Sequence, residues 1–458
     1  MKHYDYIIIG FGKGGKTLAA DLAAKGKNVA MVEQSAEMYG GTCINIACIP
    51  TKILIHHGKK EEDLKEDKQN FYRSSIEDKN KVTAALREKN YNNLADQETV
   101  MVYTAKASFI SDKQVHLESE TESLDLTADY FIINTGSQPN IPPITGLNET
   151  NHVYTSTELQ QVSELPEELL IAGGGYIGLE FASMYANFGS NVTVIDSSTE
   201  FMPQEDRDIA EEIKKTLQAK NISFLQGCKL TAVSNHSDGI KAIVENEAGE
   251  KAEETASALL LATGRKPNTE GLNLNKAGVE IDNKGAVIVD DYLRTSQKHI
   301  WAIGDVNGGP QFTYISLDDY RIIRDQLISE GTYSLAYRKN VPYSVFLDPV
   351  LSHVGLNEKK AKEKNIDYVV ASMPAANIPY TKINKQSTGL LKALVDPETK
   401  EILGCTLFCA ESSEIINTVR LAMEAKLSYT ALRDNIFTHP TMSEGLNDLF
   451  KKIDAKIS

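Results

Sequence analysis

The chain has 458 residues, of which 41% are hydrophobic and 24% are charged, the composition of an ordinary soluble globular protein. A single hydrophobic core rarely serves a chain of this length, so we expect about three domains. The formal net charge of −15 disfavours nucleic acids and anionic membrane surfaces as partners, because both attract basic proteins. No signal peptide or bilayer-spanning apolar run is recognisable, which predicts a cytoplasmic protein.

The first landmark is a strand, turn, helix and strand unit in residues 4–33. An apolar strand leads into a glycine turn, and the second strand ends at Glu33. The turn contains Gly10, Gly12 and Gly15, which let the backbone approach a pyrophosphate at the helix N-terminus. Glu33 is placed to accept hydrogen bonds from a ribose. The unit therefore predicts a dinucleotide site.

The same turn also fits the phosphate-loop pattern of nucleoside triphosphatases, with Lys16 and Thr17 in the key positions. We favour the dinucleotide interpretation, because Glu33 closes the second strand and a phosphate loop explains nothing further along the chain. A glycine-rich turn that binds no ligand is the other alternative.

Residues 40–52, GGTCINIACIPTK, place Cys43 and Cys48 five positions apart, and we interpret them as a redox-active dithiol. In a regular helix they would be about 7.5 Å apart along the axis, beyond the ~4.4–6.8 Å Cα separation of a disulfide. The segment must therefore be a distorted turn if the sulfurs pair. The alternative is two buried packing cysteines. The five cysteines are too few and scattered for a secreted framework, which favours a reducing compartment: Cys43, Cys48, Cys228, Cys405 and Cys409.

Between this segment and the next unit, strands are predicted at residues 100–104 and 130–133. The second of them ends in Asn134, Thr135 and Gly136. A proline-rich stretch follows, which we interpret as a crossing between domains.

A second strand, turn, helix and strand unit begins at residue 169, and its second strand ends at Asp196. The turn glycines that match the fingerprint are Gly173, Gly175 and Gly178. Two complete fingerprints imply two dinucleotides. Asp196 favours NADH over NADPH, because its charge repels a 2′-phosphate and no arginine lies between residues 197 and 204.

Two later strands end at Gly264 and at Gly304. Asp305 follows the second of them and is placed to hold a sugar or ribityl hydroxyl, with a helix cap or turn aspartate as the alternative. After residue 342 the sequence continues without a fingerprint, which predicts a separate α+β domain.

Near the end of the chain, His439 and Glu444 fit a general acid/base with its orienting carboxylate. A surface or packed histidine is the alternative. Cys405 and Cys409 lie in an apolar run and are interpreted as packing residues, with a second redox pair as the alternative.

These landmarks, in this order, resemble the class I pyridine nucleotide-disulfide oxidoreductases, the flavoprotein family of glutathione reductase, dihydrolipoamide dehydrogenase and mercuric reductase. The resemblance covers essentially the whole chain. The family motifs GGTCxNxGCxPxK, GYIxxE, GRxPN, GD and HPTxSE correspond to residues 40–52, 175–180, 264–268, 304–305 and 439–444.

The resemblance implies an α/β fold with two Rossmann-like dinucleotide-binding domains, one for FAD and one for NAD(P)H, and a C-terminal α+β dimerisation domain. The expected boundaries are 1–146 for the FAD domain, 147–268 for the NAD(P)H domain, 269–340 for a segment completing the FAD domain, and 341–458 for the dimerisation domain. The expected cofactor contacts are Gly10, Gly12, Gly15, Glu33, Gly41, Thr42, Lys52, Thr135, Gly136, Gly173, Gly175, Tyr176, Gly178, Asp196, Gly264 and Asp305.

The resemblance also implies catalytic roles. Cys48 matches the flavin-side cysteine, and Cys43 matches the interchange cysteine that attacks the substrate. Lys52 and Glu180 match an ion pair beside the flavin, and Tyr176 matches the ring that gates the nicotinamide pocket. His439 and Glu444 match an acid/base pair that the other subunit contributes, which implies a homodimer with shared active sites.

Within the family, the sequences of residues 39–52, 311–327 and 340–346 resemble those of bacterial reactive-chlorine-resistance flavoproteins, described as hypothiocyanous acid and copper(II) reductases. The chain departs from the wider family at Asn134 and Ala47, and it carries no cysteine pair near residue 458. These departures disfavour mercury, thioredoxin and glutathione as substrates.

The resulting expectation is an NADH-dependent flavoprotein that reduces a small oxidant, hypothiocyanous acid first, with no bound metal. The alternatives are copper(II) reduction, dihydrolipoamide dehydrogenase or other small-disulfide activity, and a redox-sensing or assembly protein whose dithiol seldom turns over.

Overall fold

The computed structural model of the chain describes residues 1–59, 67–121 and 123–457. The N-terminal strands are β1 Lys2–Ile9, β2 Val29–Glu33, β3 Val100–Thr104, β4 Lys106–Ser111, β5 Gln114–Glu118 and β6 Ser123–Ile133. The helices between them are α1 Lys13–Ala24, α2 Thr42–Asn45, α3 Cys48–Gly58 and α4 Lys68–Ala95. The strands form one sheet in the order β3-β2-β1-β6-β5-β4.

Strand β1 lies in the middle of this sheet, and this position accounts for its continuous apolar sequence. It runs parallel to β2 and β6, with Ile9 opposite both Val32 and Ile133. Strands of this kind are covered on both faces, so their apolar residues form a continuous run instead of alternating with polar ones. Ile7, Ile8 and Ile9 are accordingly all buried. The carboxyl end of β1 therefore delivers the glycine turn to the sheet edge where ligands bind in such folds.

The second region repeats this plan. Its strands are β7 Ser137–Pro139, β8 Val153–Thr155, β9 Glu168–Ala172, β10 Asn191–Asp196, β11 Ile222–Gln226, β12 Cys228–His236, β13 Gly239–Asn246, β14 Lys251–Ala256, β15 Ala258–Leu261 and β16 Arg265–Pro267. Its helices are α5 Ser156–Leu159, α6 Tyr176–Phe188 and α7 Arg207–Gln218. A parallel sheet has the order β11-β10-β9-β15-β8, an antiparallel sheet holds β12 to β14, and β7 pairs with β16.

The chain then returns to the first sheet. Strand β17, Ile300–Ala302, pairs in parallel with the carboxyl half of β6, and helix α8, Thr313–Ile328, packs on α1. Asp319 on α8 is fully buried and accepts a hydrogen bond of 2.7 Å from the Gly304 backbone N–H. Arg338 pairs with the same carboxylate. These contacts fix the loop after β17 against the first sheet.

The C-terminal strands are β18 Tyr343–Val345, β19 Leu351–Gly355, β20 Val369–Pro374, β21 Leu390–Val395 and β22 Ile402–Phe408. The accompanying helices are α9 Glu358–Glu363, α10 Tyr380–Ile383, α11 Ser412–Glu424, α12 Thr430–Arg433 and α13 Gly445–Ile457. The five strands form an antiparallel sheet in the order β18-β19-β22-β21-β20.

A buried lysine fastens this third sheet to the second region. Lys392 on β21 is 2% exposed, and its ammonium contacts the carboxylates of Asp206 at 3.0 Å and Asp208 at 2.9 Å. Glu358 on α9 completes the cluster. Removing one partner from a buried cluster of this kind leaves an uncompensated charge, at a cost of about 3–5 kcal/mol.

The predicted fold class is confirmed: two Rossmann-like units precede a C-terminal α+β domain. In the part of the chain that the structure describes, none of the helices combines the length and the apolar character that crossing a membrane requires.

Candidate active site

The two cysteines of residues 40–52 lie on consecutive short helices. Cys43 is in α2, and Cys48 is the first residue of α3. Ile46 (φ −138°, ψ 0°) and Ala47 (φ −132°, ψ −101°) leave the helical conformation between them. Pro50 stabilises the new start, because a proline in the first helical turn loses no hydrogen bond. The interruption fits the distorted-turn interpretation, and it leaves the two free thiols close enough for each to shift the pKa of the other.

The surroundings favour the thiolate of Cys48 and disfavour that of Cys43. A hydrogen bond from the Cys43 thiol, assisted by the Thr313 hydroxyl and the Lys52 charge, lowers the pKa of Cys48 to about 6. The Thr313 oxygen lies 3.6 Å from the Cys48 sulfur. The helix N-terminus adds to this preference, because its free N–H groups attract an anion. The same hydrogen bond and burial raise the pKa of Cys43. Cys48 therefore ionises first.

An ion pair lies one helical turn beyond Cys48. Lys52 shares a face of α3 with Cys48, and its ammonium is 2.7 Å from a carboxylate oxygen of Glu180 on α6. The other carboxylate oxygen accepts a 2.8 Å hydrogen bond from the Phe346 backbone N–H. The Phe346 ring lies 4.7 Å from the ammonium. Residues from the N-terminal, second and C-terminal regions thus each contribute to holding this pair.

Gln160, which the sequence motifs do not reveal, anchors the dithiol segment to the second region. Its side-chain amide donates to the Ile46 carbonyl at 3.2 Å, between the two cysteines, and accepts from the Thr51 hydroxyl at 3.2 Å. The Gln160 carbonyl in turn accepts from Lys79, a fully buried lysine on α4. Burial lowers the pKa of Lys79 to about 8.

The first glycine turn fits a pyrophosphate. A side chain at Gly10, whose φ is +101°, would place its Cβ 2.4 Å from the Asn134 carbonyl oxygen, so only glycine brings the turn this close to β6. The Asn134 side chain donates to the Gly10 carbonyl at 3.1 Å, which explains the departure from the family at this position. Glu33 accepts from the Phe11 N–H at 3.0 Å. Asp305 accepts from the Ser137 hydroxyl at 2.6 Å.

The second glycine turn is packed in a similar way, and a carboxylate lies directly against it. Asp196 at the end of β10 lies against Gly174, where a Cβ would meet its carboxylate oxygen at 2.3 Å. Gly174 occupies a variable position of the fingerprint, so the motif alone did not identify it. Asp196 also accepts a hydrogen bond of 3.1 Å from the Ser198 N–H. A Cβ at Gly175 would meet nothing within 4 Å, which leaves the turn open toward the cavity.

Tyr176, at the start of α6, is held by two residues that the motifs did not reveal. Its hydroxyl donates to Glu205 at 2.7 Å, and the Tyr343 hydroxyl donates to the same carboxylate oxygen at 2.7 Å. The two tyrosine rings stack with centroids 5.6 Å apart. Glu205 is 1% exposed. Burial and the nearby Glu205 charge raise the pKa of both phenols.

Both turns and the dithiol open onto one cavity of about 2070 Å³. Small-molecule pockets rarely exceed about 1,000 Å³, so this cavity has room for two dinucleotides. It brings together most of the predicted site residues, namely Gly10, Gly12, Glu33, Gly41, Thr42, Cys43, Cys48, Lys52, Thr135, Gly136, Gly173, Gly175, Tyr176, Glu180, Asp196, Gly264 and Asp305. Gly15 and Gly178 do not line it, and instead pack where α1 and α6 approach their sheets.

His439 and Glu444 do not line this cavity. Nδ1 of His439 is 2.7 Å from a carboxylate oxygen of Glu444, while the histidine side chain is 70% exposed. The second carboxylate oxygen of Glu444 is buried and has no hydrogen-bond partner among the described residues. The pair is thus formed within the chain but remains apart from the dithiol.

The other cysteines differ in their surroundings. Cys405 and Cys409 are fully buried in the core of the third sheet, where burial raises the pKa of both thiols. Cys228 on β12 is half-buried and lines the cavity beside Lys229.

Known proteins are similar to this chain along almost its whole length. The family described as pyridine nucleotide-disulphide oxidoreductase matches residues 4–319, and its dimerisation domain matches residues 341–450. A probable pyridine nucleotide-disulfide oxidoreductase, RclA, from Escherichia coli K12 is 47% identical over 453 residues, covering 99% of this chain and 100% of the relative. A mercuric reductase from Bacillus cereus is 32% identical, covering 99% of this chain and 72% of that protein.

A solved structure described as a Cu(II) complex of the HOCl-induced flavoprotein disulfide reductase RclA from Escherichia coli has a TM-score of 0.94 and 46% identity. The match covers 99% of this chain and 100% of that one. The chain therefore belongs to the pyridine nucleotide-disulphide oxidoreductases, and it is a flavoprotein enzyme whose family uses FAD and a nicotinamide cofactor.

Proposed function

We propose that this protein is an NADH-dependent reductase that removes a small sulfur oxidant, hypothiocyanous acid, through Cys43 and Cys48. The observation that carries the proposal is the asymmetric dithiol, in which Cys48 has a pKa of about 6 and lies one helical turn from the Lys52–Glu180 pair. The Escherichia coli relative, described as HOCl-induced, supports a role in defence against reactive chlorine species.

The chemistry requires a thiolate that attacks and a second thiolate that resolves. Cys43 passes its thiol proton to the Cys48 thiolate and attacks the sulfur of hypothiocyanous acid, and the sulfur–oxygen bond breaks. The departing hydroxide takes up that proton from Cys48 through His439 and leaves as water. Cys48 then attacks the Cys43 sulfur and thiocyanate leaves, which forms the Cys43–Cys48 disulfide. The dithiol thus loses two electrons and the oxidant gains them. Bound FAD supplies the chemistry that returns two electrons from NADH to this disulfide.

The remaining site residues have binding and orienting roles in this proposal. The Gly10 turn, Glu33 and Asp305 hold the FAD, and the Gly173 turn with Asp196 holds the NADH. Lys52 and Glu180 place a charge pair beside Cys48, and this pair would also act on bound FAD. Tyr176 covers the nicotinamide position.

Protons are handled by His439, oriented by Glu444. Because this pair does not line the cavity of its own chain, we propose that it acts in the active site of the partner subunit of a homodimer. The family's dimerisation domain at residues 341–450 supports this arrangement.

A steady-state assay tests the proposal. Purified enzyme is expected to oxidise NADH when hypothiocyanous acid is supplied, and Cys43→Ser is expected to abolish that turnover. Ser428→Ala, in a turn outside the cavity, is the matched control. Full turnover by Cys43→Ser would overturn the mechanism. Faster turnover with lipoamide or glutathione disulfide would instead assign a small-disulfide substrate, and negligible turnover with every oxidant would favour a redox sensor.

The nucleotide preference is tested separately. Asp196 is expected to give NADH a lower Michaelis constant than NADPH, because its carboxylate repels a 2′-phosphate. Asp196→Ser is expected to narrow the difference. A lower Michaelis constant for NADPH in the unchanged enzyme would contradict the assignment.

Copper(II) reduction is the second candidate. Solved structures of both the Escherichia coli relative and its C43S mutant are described as Cu(II) complexes. Cu(II) binding by that relative therefore does not require the sulfur of the cysteine that the mutant lacks. Within residues 1–59, 67–121 and 123–457 of this chain, no three His, Cys, Asp or Glu side chains are grouped to hold a metal ion. We therefore treat Cu(II) as an electron acceptor. Its reduction is expected to persist in Cys43→Ser, which separates the two activities.

A further inference from the structure

The buried amide of Gln160 uses both its donor and its acceptor groups. The residue follows α5 and is 1% exposed. Its amide nitrogen donates to the carbonyl oxygens of Ile46 at 3.2 Å and of Ser156 at 2.6 Å, and its amide oxygen accepts from the Thr51 hydroxyl at 3.2 Å. Carbonyl oxygens can only accept, so the nitrogen must face both of them. The network therefore fixes the orientation of the amide.

The Ile46 carbonyl lies at the interruption between α2 and α3. Ile46 is the C-cap of α2, and the residue after it is the N-cap of α3. Gln160 therefore binds the chain between Cys43 and Cys48. One continuous helix would hold the two cysteines about 7.5 Å apart along its axis, beyond the ~4.4–6.8 Å Cα separation of a disulfide. The segment that Gln160 holds is thus the one whose shape decides whether a disulfide can form.

Gln160 is itself held by side chains of α4 and α6. The fully buried Lys79 on α4 donates to its backbone carbonyl. The Tyr185 hydroxyl on α6 donates to the carbonyl of the preceding residue, Leu159, at 3.2 Å, and it lies 2.9 Å from the Tyr72 hydroxyl on α4. Both backbone carbonyls at the end of α5 are therefore bound by buried side chains. The position of the Gln160 amide is set by these contacts, independently of the dithiol.

We propose that Gln160 is a positioning residue for the dithiol: by holding the interruption between α2 and α3, it keeps Cys43 and Cys48 where they can form a disulfide. In that step the two thiols lose two electrons and two protons, and one sulfur–sulfur bond forms. A segment that is already ordered loses less conformational entropy in this step than a free one. The inference rests on the proposed redox role of the two cysteines, and it is independent of the oxidant.

The experiment separates the first thiol reaction from disulfide closure. Holoenzyme is reduced anaerobically with equimolar NADH and mixed in a stopped-flow instrument with dithionitrobenzoate, a small aromatic disulfide. One thiolate attacks this reagent and releases a first thionitrobenzoate. The other thiolate then attacks the mixed disulfide, releases a second thionitrobenzoate and leaves the Cys43–Cys48 disulfide. Gln160→Met, which changes the side-chain volume little but removes the amide, is expected to slow the second release about tenfold and to leave the first release unchanged.

The reduction potential of the pair gives a second measure. Loss of the ordered segment disfavours the disulfide, so Gln160→Met should raise this potential by about 30 mV, which corresponds to a tenfold change in the equilibrium constant of a two-electron couple. Equilibration in dithiothreitol redox buffers, followed by mass mapping of Cys43 and Cys48, measures it. A residue that only stabilised α5 would leave this potential unchanged.

Gln161→Met is the matched control, because it removes the neighbouring amide. Gln161 is exposed, and its side-chain oxygen accepts from Lys79 at 3.2 Å. Among the described residues, its side chain has no hydrogen bond to residues 40–52. Both release phases and the potential are expected to match those of the unchanged enzyme. A normal second release in Gln160→Met, or equal slowing in the two variants, would overturn the inference.

A milder variant keeps the test decisive if the visible spectrum shows that Gln160→Met has lost its flavin. Thr51→Val removes one hydrogen bond of the Gln160 amide and keeps the side-chain shape, so it should slow the second release by about twofold to fivefold. An unchanged second release would then contradict the inference. Failure of the unchanged enzyme to form the Cys43–Cys48 disulfide would refute the proposed redox role itself. Slowed closure in an enzyme that ignores hypothiocyanous acid would support Gln160 while refuting the proposed substrate.

Discussion

The dithiol with its ion pair and the histidine with its glutamate are both charge-handling pairs, yet they differ in how complete they are. Cys48 and Lys52 lie in a cavity built from all three sheets, with contacts from Thr313, Glu180 and Phe346. His439 has only Glu444 as a side-chain partner among the described residues and is 70% exposed. One chain therefore surrounds the dithiol and its ion pair fully, while it leaves the His439–Glu444 pair at its surface.

This difference indicates which parts of the reaction depend on association. The dithiol and the two nucleotide cradles need no second subunit for their geometry. In our proposal, proton delivery requires the second subunit. Substitutions in the two regions should therefore fail in different half-reactions, and the following predictions test that division.

The largest effect is expected for Cys48→Ser. Without a resolving thiolate the Cys43 adduct cannot become a disulfide, so turnover with hypothiocyanous acid should fall by about 10³-fold or more. In the unchanged reduced enzyme, a thiolate should be present above pH 6 and disappear as the pH falls through the pKa of Cys48, about 6. Ultraviolet titration of the thiolate measures this. A step near pH 6 that survives in Cys48→Ser would assign it to another group.

The next largest effect is expected for His439→Gln, which should lower turnover by about 10²–10⁴-fold because general acid/base catalysis is lost. Reduction of the flavin by NADH, measured in a stopped-flow instrument, should stay near its normal rate. Equal losses in both half-reactions would contradict the proposal that the dithiol region and His439 serve different half-reactions. Lys451→Gln, at an exposed position of the same C-terminal helix and outside the cavity, is the control.

A dimer of two different variant chains tests whether each active site takes its histidine from the partner subunit. When Cys43→Ser and His439→Gln chains are combined, one of the two shared sites carries both defects and the other carries neither. About half of the normal turnover per dimer should return if each site takes its histidine from the partner subunit. No recovery would place the histidine and the dithiol of one chain in the same site.

A smaller effect is expected for Lys52→Met, which leaves the Glu180 carboxylate without its cation. Flavin reduction by NADH should slow by about 10–100-fold, since a partly buried charge pair is broken. The pKa of Cys48 should rise, because the Lys52 charge lowers it. Glu180→Gln should shift that pKa in the opposite direction. Shifts of the same sign in both variants would contradict the electrostatic interpretation.

The smallest effect is expected for Thr313→Val. Loss of one hydrogen bond to sulfur, worth about 0.5–1.5 kcal/mol, should raise the pKa of Cys48 by at most about one unit. Activity should fall mainly below pH 7, where less thiolate would be present. Thr216→Val on α7, which bonds only its own helix, is the control. An unchanged pKa of Cys48 in Thr313→Val would show that this hydroxyl does not act on the thiolate.

Much of the site was predictable because its signals are local. The glycine turns, the acids that end β2 and β10, and the cysteine spacing each lie within one strand, turn and helix unit. Lys52 follows Cys48 by one helical turn, and the structure places both in the cavity. The predicted domain boundaries remain predictions.

The residues that sequence did not reveal come from distant segments. Gln160 and Glu205 meet the dithiol and Tyr176 only after the second sheet is formed, and Tyr343 and Phe346 arrive from the third. A side-chain pattern repeats along one element and carries no information about which loop will pack against it. Glu205 also lies in a stretch with no glycine or strand signal.

The segment around β18 restricts how the second region can move. Phe346 binds Glu180, Tyr343 binds Glu205, and the buried Lys392 cluster joins the same two regions, so the third sheet braces the nucleotide-binding unit at three separate points. A hinge rotation of that unit as a rigid body would have to break all of these contacts together. Rotation of the Tyr176 side chain breaks one hydrogen bond and the stacking on Tyr343. If Tyr176 covers the nicotinamide position as we propose, the nicotinamide should enter by a local swing of this ring over a stationary backbone.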